Sequence, residues 1–207
     1  MPLEADLARM AQHRSFLNRY YGISRSFYDA SRKYFLFGRD LALRELVAEP
    51  WSTLVEVGPG TGRNLRLLRR GRPDAAYGGI EPCDAMREHA KVRAPWIKLV
   101  DAFAEDADYQ SVLGRPPDRI LFSYCLSMVG DPRASLARAV DSLADGGEVV
   151  VIDFAGMGGL PRGARVAVRN FLEAFHVHPL DRAALGREPT AYRSGPFDYY
   201  IIARYRR

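Results

Sequence analysis

The chain has 207 residues, 47% of them apolar and 27% charged, with a formal net charge of +5; this suits one α/β domain with a full core and excludes a disordered or fibrous chain. No apolar stretch approaches the roughly 20 residues that cross a bilayer, and Met1 to Asp6 lack the basic and apolar blocks of a signal peptide, so a cytoplasmic protein is expected. The two cysteines, Cys83 and Cys125, have no metal-ligand spacing, while the positive charge, carried almost wholly by arginine, permits contact with anionic surfaces.

Residues 5 to 49 contain no proline and predict a helical cover, residues 1–50, ahead of an α/β core, residues 51–207, in a single domain. Leu43, Leu46 and Val47 give a helical face leading to Pro50-Trp51 and a strand from Thr53 to Val57. Strands near 76–80 and 97–100 flank a helix over 83–93, and a polar connection follows. Pro116-Pro117-Asp118 leads into a strand from Arg119 to Ser123. Asp131-Pro132 opens a helix, aspartate as N-cap and proline in the first turn, and Gly146-Gly147 stops it. Glu148 to Asp153 is the fifth strand, and the alternation is that of a parallel sheet. Ala155 to Pro161 is too glycine-rich for regular structure and is placed to line a substrate entrance. Residues 163–176 regain helical periodicity through Val166, Val168, Phe171, Leu172 and Phe175. Tyr199 to Ala203 closes the sheet as an antiparallel strand, with no strand expected between the last helix and Tyr199.

The first strand ends Leu54-Val55-Glu56-Val57-Gly58-Pro59-Gly60-Thr61-Gly62-Arg63-Asn64 and opens into Leu65, Leu67 and Leu68. Three alternate glycines let the backbone turn sharply and lie against a flat ligand at a helix N-terminus. A dinucleotide fingerprint, G-x-G-x-x-G, would put its third glycine on Arg63. The pattern instead resembles motif I of the class I S-adenosylmethionine methyltransferases, E/D-x-G-x-G-x-G. Glu81, nineteen residues after Gly62, is placed to accept both hydroxyls of a ribose. The resemblance implies a Rossmann-like fold and S-adenosylmethionine as cofactor. It also implies that Asp101 faces the adenine amino group and the Ala102 amide a ring nitrogen, with Glu56, Met86, Ser123 and Tyr124 as further cofactor contacts.

A narrower resemblance begins in the aromatic preface, where Tyr20, Tyr21, Phe27, Tyr28, Tyr34, Phe35 and Phe37 fall within eighteen residues. Tyr28 to Asp40 is similar to the corresponding segment of bacterial betaine-lipid N-methyltransferases, which trimethylate the amine of diacylglycerylhomoserine. Glu56 to Asn64, Phe122 to Met128, Val151 to Phe154 and Phe175-His176-Val177-His178-Pro179 are similar to that group as well, so the likeness runs from about residue 20 to 180. The tail beyond Leu180 departs from it. This resemblance implies a lipid amine as acceptor, with phosphatidylethanolamine or a small soluble amine as the alternatives.

Methyl transfer from sulfonium to amine requires positioning and electrostatics more than bond-making by the protein. Tyrosine faces attract ammonium and methyl-sulfonium groups, which makes Tyr28 and Tyr34 the catalytic candidates, with Tyr20, Tyr21 and Tyr124 nearby in role; packing of the preface onto the sheet is the competing reading. Arg39 is a candidate for the methionine carboxylate, or for a surface ion pair. Asp153 would orient the acceptor amine, or else cap a turn; His176 and His178 are candidate bases that the reaction does not require. No metal is expected. Nucleic-acid amine methylation is disfavoured because the strand-four end reads Ser123-Tyr124-Cys125-Leu126 where such enzymes carry Asn/Asp-Pro-Pro-Tyr/Phe. A non-catalytic adenosylmethionine-binding role remains the other alternative. Arg14, Arg19, Arg25, Arg32 and Lys33 among Phe16, Leu17, Ile23 and Phe27 would seat the preface on an anionic membrane surface.

Overall fold

The structure, a computed structural model, describes residues 35–207. Tyr20, Tyr21, Tyr28, Tyr34 and the basic residues of the preface lie outside them. Helix α1 (Arg39–Ala48) precedes β1 (Thr53–Val57), α2 (Arg63–Gly71), β2 (Ala76–Ile80), α3 (Asp84–Arg93), β3 (Lys98–Val100), α4 (Tyr109–Leu113) and β4 (Arg119–Ser123). Then come α5 (Pro132–Asp141), β5 (Glu148–Phe154), α6 (Arg162–Glu173), β6 (Ala191–Ser194) and β7 (Tyr200–Arg206). The strands form one sheet in the order β3-β2-β1-β4-β5-β7-β6. The first five are parallel, and β7 runs antiparallel to both β5 and β6.

The central strands are covered on both faces, which is why β1 and β5 read as largely apolar runs and are buried throughout. Each carries one carboxylate at its C-terminal end, Glu56 and Asp153. On one face Leu43 and Leu46 of α1 pack with Leu54, Leu65 and Leu68; on the other, Leu136, Ala139 and Val140 of α5 pack with Val55, Ile120 and Val149. The predicted α1 face is therefore the buried one. Arg204 ties α1 to the sheet, donating to Glu49 Oε1 and Glu148 Oε2, each at 2.6 Å.

Three expectations are corrected. A strand does lie between the last helix and Tyr199: β6, hidden in the sequence because all four of its residues are exposed at the sheet edge and show no alternation. The polar connection after β3 contains α4, capped by Asp108, whose side chain accepts from Gln110 N and Ser111 N. Helix α5 ends at Asp141, before Gly146-Gly147, because Ser142 N turns back to Arg138 O and Ala139 O; the glycines form the turn into β5.

The sharpest steric requirement sits just before α1. Gly38 has φ +74°, and a Cβ there would lie 2.2 Å from the Tyr200 ring; Gly195 presses on the same ring from elsewhere, also at 2.2 Å. Neither position tolerates a side chain while Tyr200 keeps its place.

Candidate active site

The parallel strands all end on one side of the sheet, and the loops that follow β1, β2, β3 and β4 converge there, the usual ligand position in open α/β sheets. Gly58, Gly60 and Gly62 all have positive φ, a backbone path open to glycine and strained for other residues. Gly58 N donates to Ile80 O at 2.8 Å, stitching the turn to β2. Gly62 is the N-cap of α2, its Cα side facing Ile97 and Ala90, so it serves helix packing and not the ligand. A Cβ at Gly60 would meet nothing within 4 Å, and this glycine borders an open cleft.

The cleft is walled by Val57, Gly58 and Gly60 from the first loop, Ile80, Glu81, Pro82 and Met86 from the second, Ala102 to Glu105 from the third, and Tyr124, Cys125 and Met128 to Gly130 from the fourth. Glu81 is fixed from both sides, Oε2 accepting from Gly60 N at 3.1 Å and Oε1 from Cys83 N at 3.0 Å. Arg87 donates to the Glu81 carbonyl at 2.6 Å and to Asp101 Oδ2 at 3.1 Å, and it also pairs with Asp84. Thus one guanidinium ties the ends of β2 and β3 together.

Beneath the glycine turn lies Glu56. Asn64 donates to its Oε1 at 2.7 Å, while Oε2 is buried with no hydrogen-bond partner. Burial pushes its carboxyl up to about 8 despite the Asn64 hydrogen bond and the Arg39 charge, both of which favour the ionised form. Arg39 is itself buried and sits 3.8 Å from Asp40. Tyr124 is held in the left-handed region at φ +55°, its hydroxyl donating to Phe37 O at 2.5 Å and its ring stacked edge-on against Phe154 at 4.7 Å. Burial raises its hydroxyl pKa far beyond the ordinary range.

The sequence candidates therefore divide. Gly58, Gly60, Glu81, Met86, Ala102 and Tyr124 line the cleft. Glu56, Arg39, Gly62 and Ser123 are packed behind it, and Asp101 stands at its margin on Arg87. Asp153 is corrected: it has no exposed surface, and its oxygens accept from Ser127 N at 3.0 Å and Phe154 N at 2.8 Å, so it caps the turn after β4 instead of meeting an acceptor. Burial nonetheless lifts its carboxyl to about 6. His176 and His178 are exposed. The loop from Ala155 is pinned, Met157 N and Gly159 N donating to Asp198 O and Phe197 O. Missed by sequence reasoning was Glu105, which gives no motif signal because its place in the wall depends on how the β3 loop folds back toward Gly130. Among the described residues no group of three or more His, Cys, Asp or Glu is arranged to hold a metal.

A glycine turn over the first strand, a carboxylate fixed at the end of the second and an apolar slot beyond the third define a Rossmann-like, nucleoside-binding methyltransferase. The chain belongs to the methyltransferase-domain family, whose model matches residues 10–188, and it is an S-adenosylmethionine-dependent enzyme. No curated protein matches it. Among solved structures it is similar to the putative methyltransferase bound to the Trm112 activator of Haloferax volcanii, with 14% identity, 91% of this chain and 96% of that one covered, and a TM-score of 0.71. The plantazolicin methyltransferase BpumL, solved with S-adenosylhomocysteine, aligns over 100% of both chains at 11% identity and a TM-score of 0.66. The sugar N-methyltransferase KedS8 of Streptoalloteichus sp ATCC 53650 shares 23% identity over 67% of this chain, at a TM-score of 0.54; the match spans 56% of its length. These likenesses establish the fold.

The residues fit the cofactor. Gly60 leaves space for a close approach, Glu81 presents a fixed carboxylate suited to a diol, and Glu56 holds a buried oxygen without a partner. When bound, the cofactor supplies an electrophilic methyl group on a sulfonium.

Proposed function

We propose that the enzyme methylates the amine of a lipid head group, a diacylglycerylhomoserine-like acceptor converted to its trimethylated betaine. What supports this reading is a run of rings from the cleft to the surface. Tyr124 in the cleft wall contacts Phe154 at 4.7 Å, Phe154 contacts Tyr199 at 5.7 Å, and Tyr199 contacts Phe37 at 5.5 Å, whose side chain is 56% exposed. Phe35 and Phe171, both also exposed, meet at 5.9 Å. Aromatic faces at the inner end favour a cationic head group, and exposed rings at the outer end favour an apolar continuation of the same molecule. The sequence likeness to betaine-lipid enzymes over residues 20 to 180 points the same way.

In this reading Tyr28 and Tyr34 add ring faces to the acceptor side and Arg39 with Glu56 serves the methionine end of the cofactor. The acceptor must arrive as the neutral amine, and its proton leaves to solvent. Because the acyl chains stay in the bilayer, the enzyme works at an anionic membrane surface; no helix of the described residues is long and apolar enough to cross one. A small soluble amine is the second reading, favoured by the likeness to a sugar N-methyltransferase.

The test is turnover by the purified chain on diacylglycerylhomoserine in vesicles beside a soluble amino sugar, with mass spectrometry of lipids from cells with and without the gene. A trimethylated head group that disappears with the gene supports the lipid acceptor; turnover of the amino sugar alone replaces it with the second reading.

A further inference from the structure

We infer that Arg87 is a positioning residue for the cofactor: without lining the cleft, its guanidinium sets the separation of the loops after β2 and β3, and with it the width of the slot between them. This rests on the cofactor assignment and is independent of the acceptor. Strand β3 is an edge strand of three residues. Its ladder with β2 ends at Ile80 and Val100, and one further bond follows, from Glu81 N to Val100 O at 3.0 Å. Beyond it the two chains part, one carrying Glu81, Pro82 and Met86 into the cleft wall and the other Ala102 to Glu105.

Arg87, in the first turn of α3, spans that gap. Its Nη1 donates to Glu81 O at 2.6 Å, and its Nη2 donates to Asp101 Oδ2 at 3.1 Å and to Asp84. The Arg87 side chain is 12% exposed and that of Asp101 40%, so the bridge is less screened than a pair on open surface. The same residue acts on Glu81 a second time through the backbone: Arg87 N donates to Cys83 O at 3.0 Å, and Cys83 N donates to Glu81 Oε1 at 3.0 Å. Both the carbonyl and the carboxylate of Glu81 are therefore referred to the start of α3. A planar guanidinium serves two acceptors at a fixed spacing, which the single ammonium of lysine does not. A slot held at its working width spares the ligand the ordering of two loops, and one that opens binds with an affinity reduced by the fraction of molecules that remain closed.

The experiment is calorimetry with S-adenosylhomocysteine on the wild type, Arg87→Met, Arg87→Lys, Asp101→Asn and the double variant Arg87→Met/Asp101→Asn, with thermal melts and amide hydrogen exchange over Ala102 to Glu105 for each. Arg87→Met is expected to weaken S-adenosylhomocysteine about three- to thirtyfold, the range for a partly exposed hydrogen bond to a charged group. In the ligand-free variant the Ala102 to Glu105 amides should exchange faster by a similar factor, and saturating ligand should restore their protection. Arg87→Lys, which keeps the charge and loses the fork, should recover only part of the affinity, and it carries the comparison by itself if Arg87→Met does not fold. In the Asp101→Asn background Arg87→Met should cost less than in the wild type, because one end of the bridge is already weakened. A lower melting temperature with unchanged affinity overturns the inference, since Arg87 would then serve only the stability of α3. So does full recovery by lysine, and so do additive losses in the double variant.

Discussion

Asn64, in the first turn of α2, donates to Glu56 Oε1 at 2.7 Å from one strand-turn-helix away, so the helix that begins at the glycine turn also holds the acid beneath it. Only one of the two carboxyl oxygens is served. The pH dependence of stability follows from that imbalance.

With its pKa lifted to about 8 by burial, Glu56 is protonated in the ligand-free fold at neutral pH but ionised in the unfolded chain above about 4.5. Its contribution to stability is full below the unfolded value and is lost as pH rises through 8. Asp153, raised to about 6, completes the same course below that pH. The melting temperature of the ligand-free enzyme should therefore fall from about pH 4.5 to about 8, and Glu56→Gln, a neutral isostere, should flatten the fall above pH 6. An identical slope in the variant would count against a protonated Glu56.

Glu81→Ala should weaken S-adenosylhomocysteine by about 1 to 3 kcal/mol through loss of charge-assisted hydrogen bonds. Nicotinamide dinucleotides should not compete, since Gly58, Gly60 and Gly62 lack the dinucleotide spacing. Calorimetric titration of both ligands decides this, and comparable binding of a nicotinamide dinucleotide would refute the assignment.

Tyr28→Ala and Tyr34→Ala should lower methyl transfer more than thermal stability, whereas phenylalanine at either position should keep most activity. Equal losses of rate and stability would make both rings packing elements. At Tyr124 the expectation differs: Tyr124→Phe removes the hydrogen bond to Phe37 O and should cost about 1 kcal/mol in stability, measured by denaturant unfolding.

Gly38→Ala should destabilise by more than 1 kcal/mol, because φ +74° costs a side chain that much by itself and the added carbon meets the Tyr200 ring. Pairing it with Tyr200→Ala tests the cause. If the second change recovers none of the loss, the ring contact is not responsible.

Vesicle co-sedimentation should show reversible binding that grows with anionic lipid and weakens with salt, each cation near the surface adding roughly 1 kcal/mol. No binding at low salt, with full activity on a soluble amine, would remove the lipid acceptor from consideration.

The turn and strand ends that wall the cleft were legible because local chemistry dictates them: alternate glycines mark a tight strand-to-helix turn, and Glu81 falls where β2 must stop. The central strands β1, β4 and β5 were legible for a similar reason, since buried strands leave largely apolar runs. Long-range placement left no such trace. Asp153 looks the same in sequence whether it faces a ligand or caps Ser127, and Glu105 becomes part of the wall only when the β3 loop meets Gly130. Exposed β6 has no periodicity to read, because its register is set by β7 alone.

The sheet order also has a consequence for biogenesis. Because β7 lies between β5 and β6, the edge strand is synthesised before the strand it pairs with, and β5 waits with an open side until residues 200 to 206 leave the ribosome. During that interval the nascent chain presents an apolar strand edge, the kind of surface that recruits chaperones or pairs with another copy. A chain stopped before Tyr200 would lose two strands at once, and would retain the glycine turn while leaving the aromatic side of the cleft unsupported.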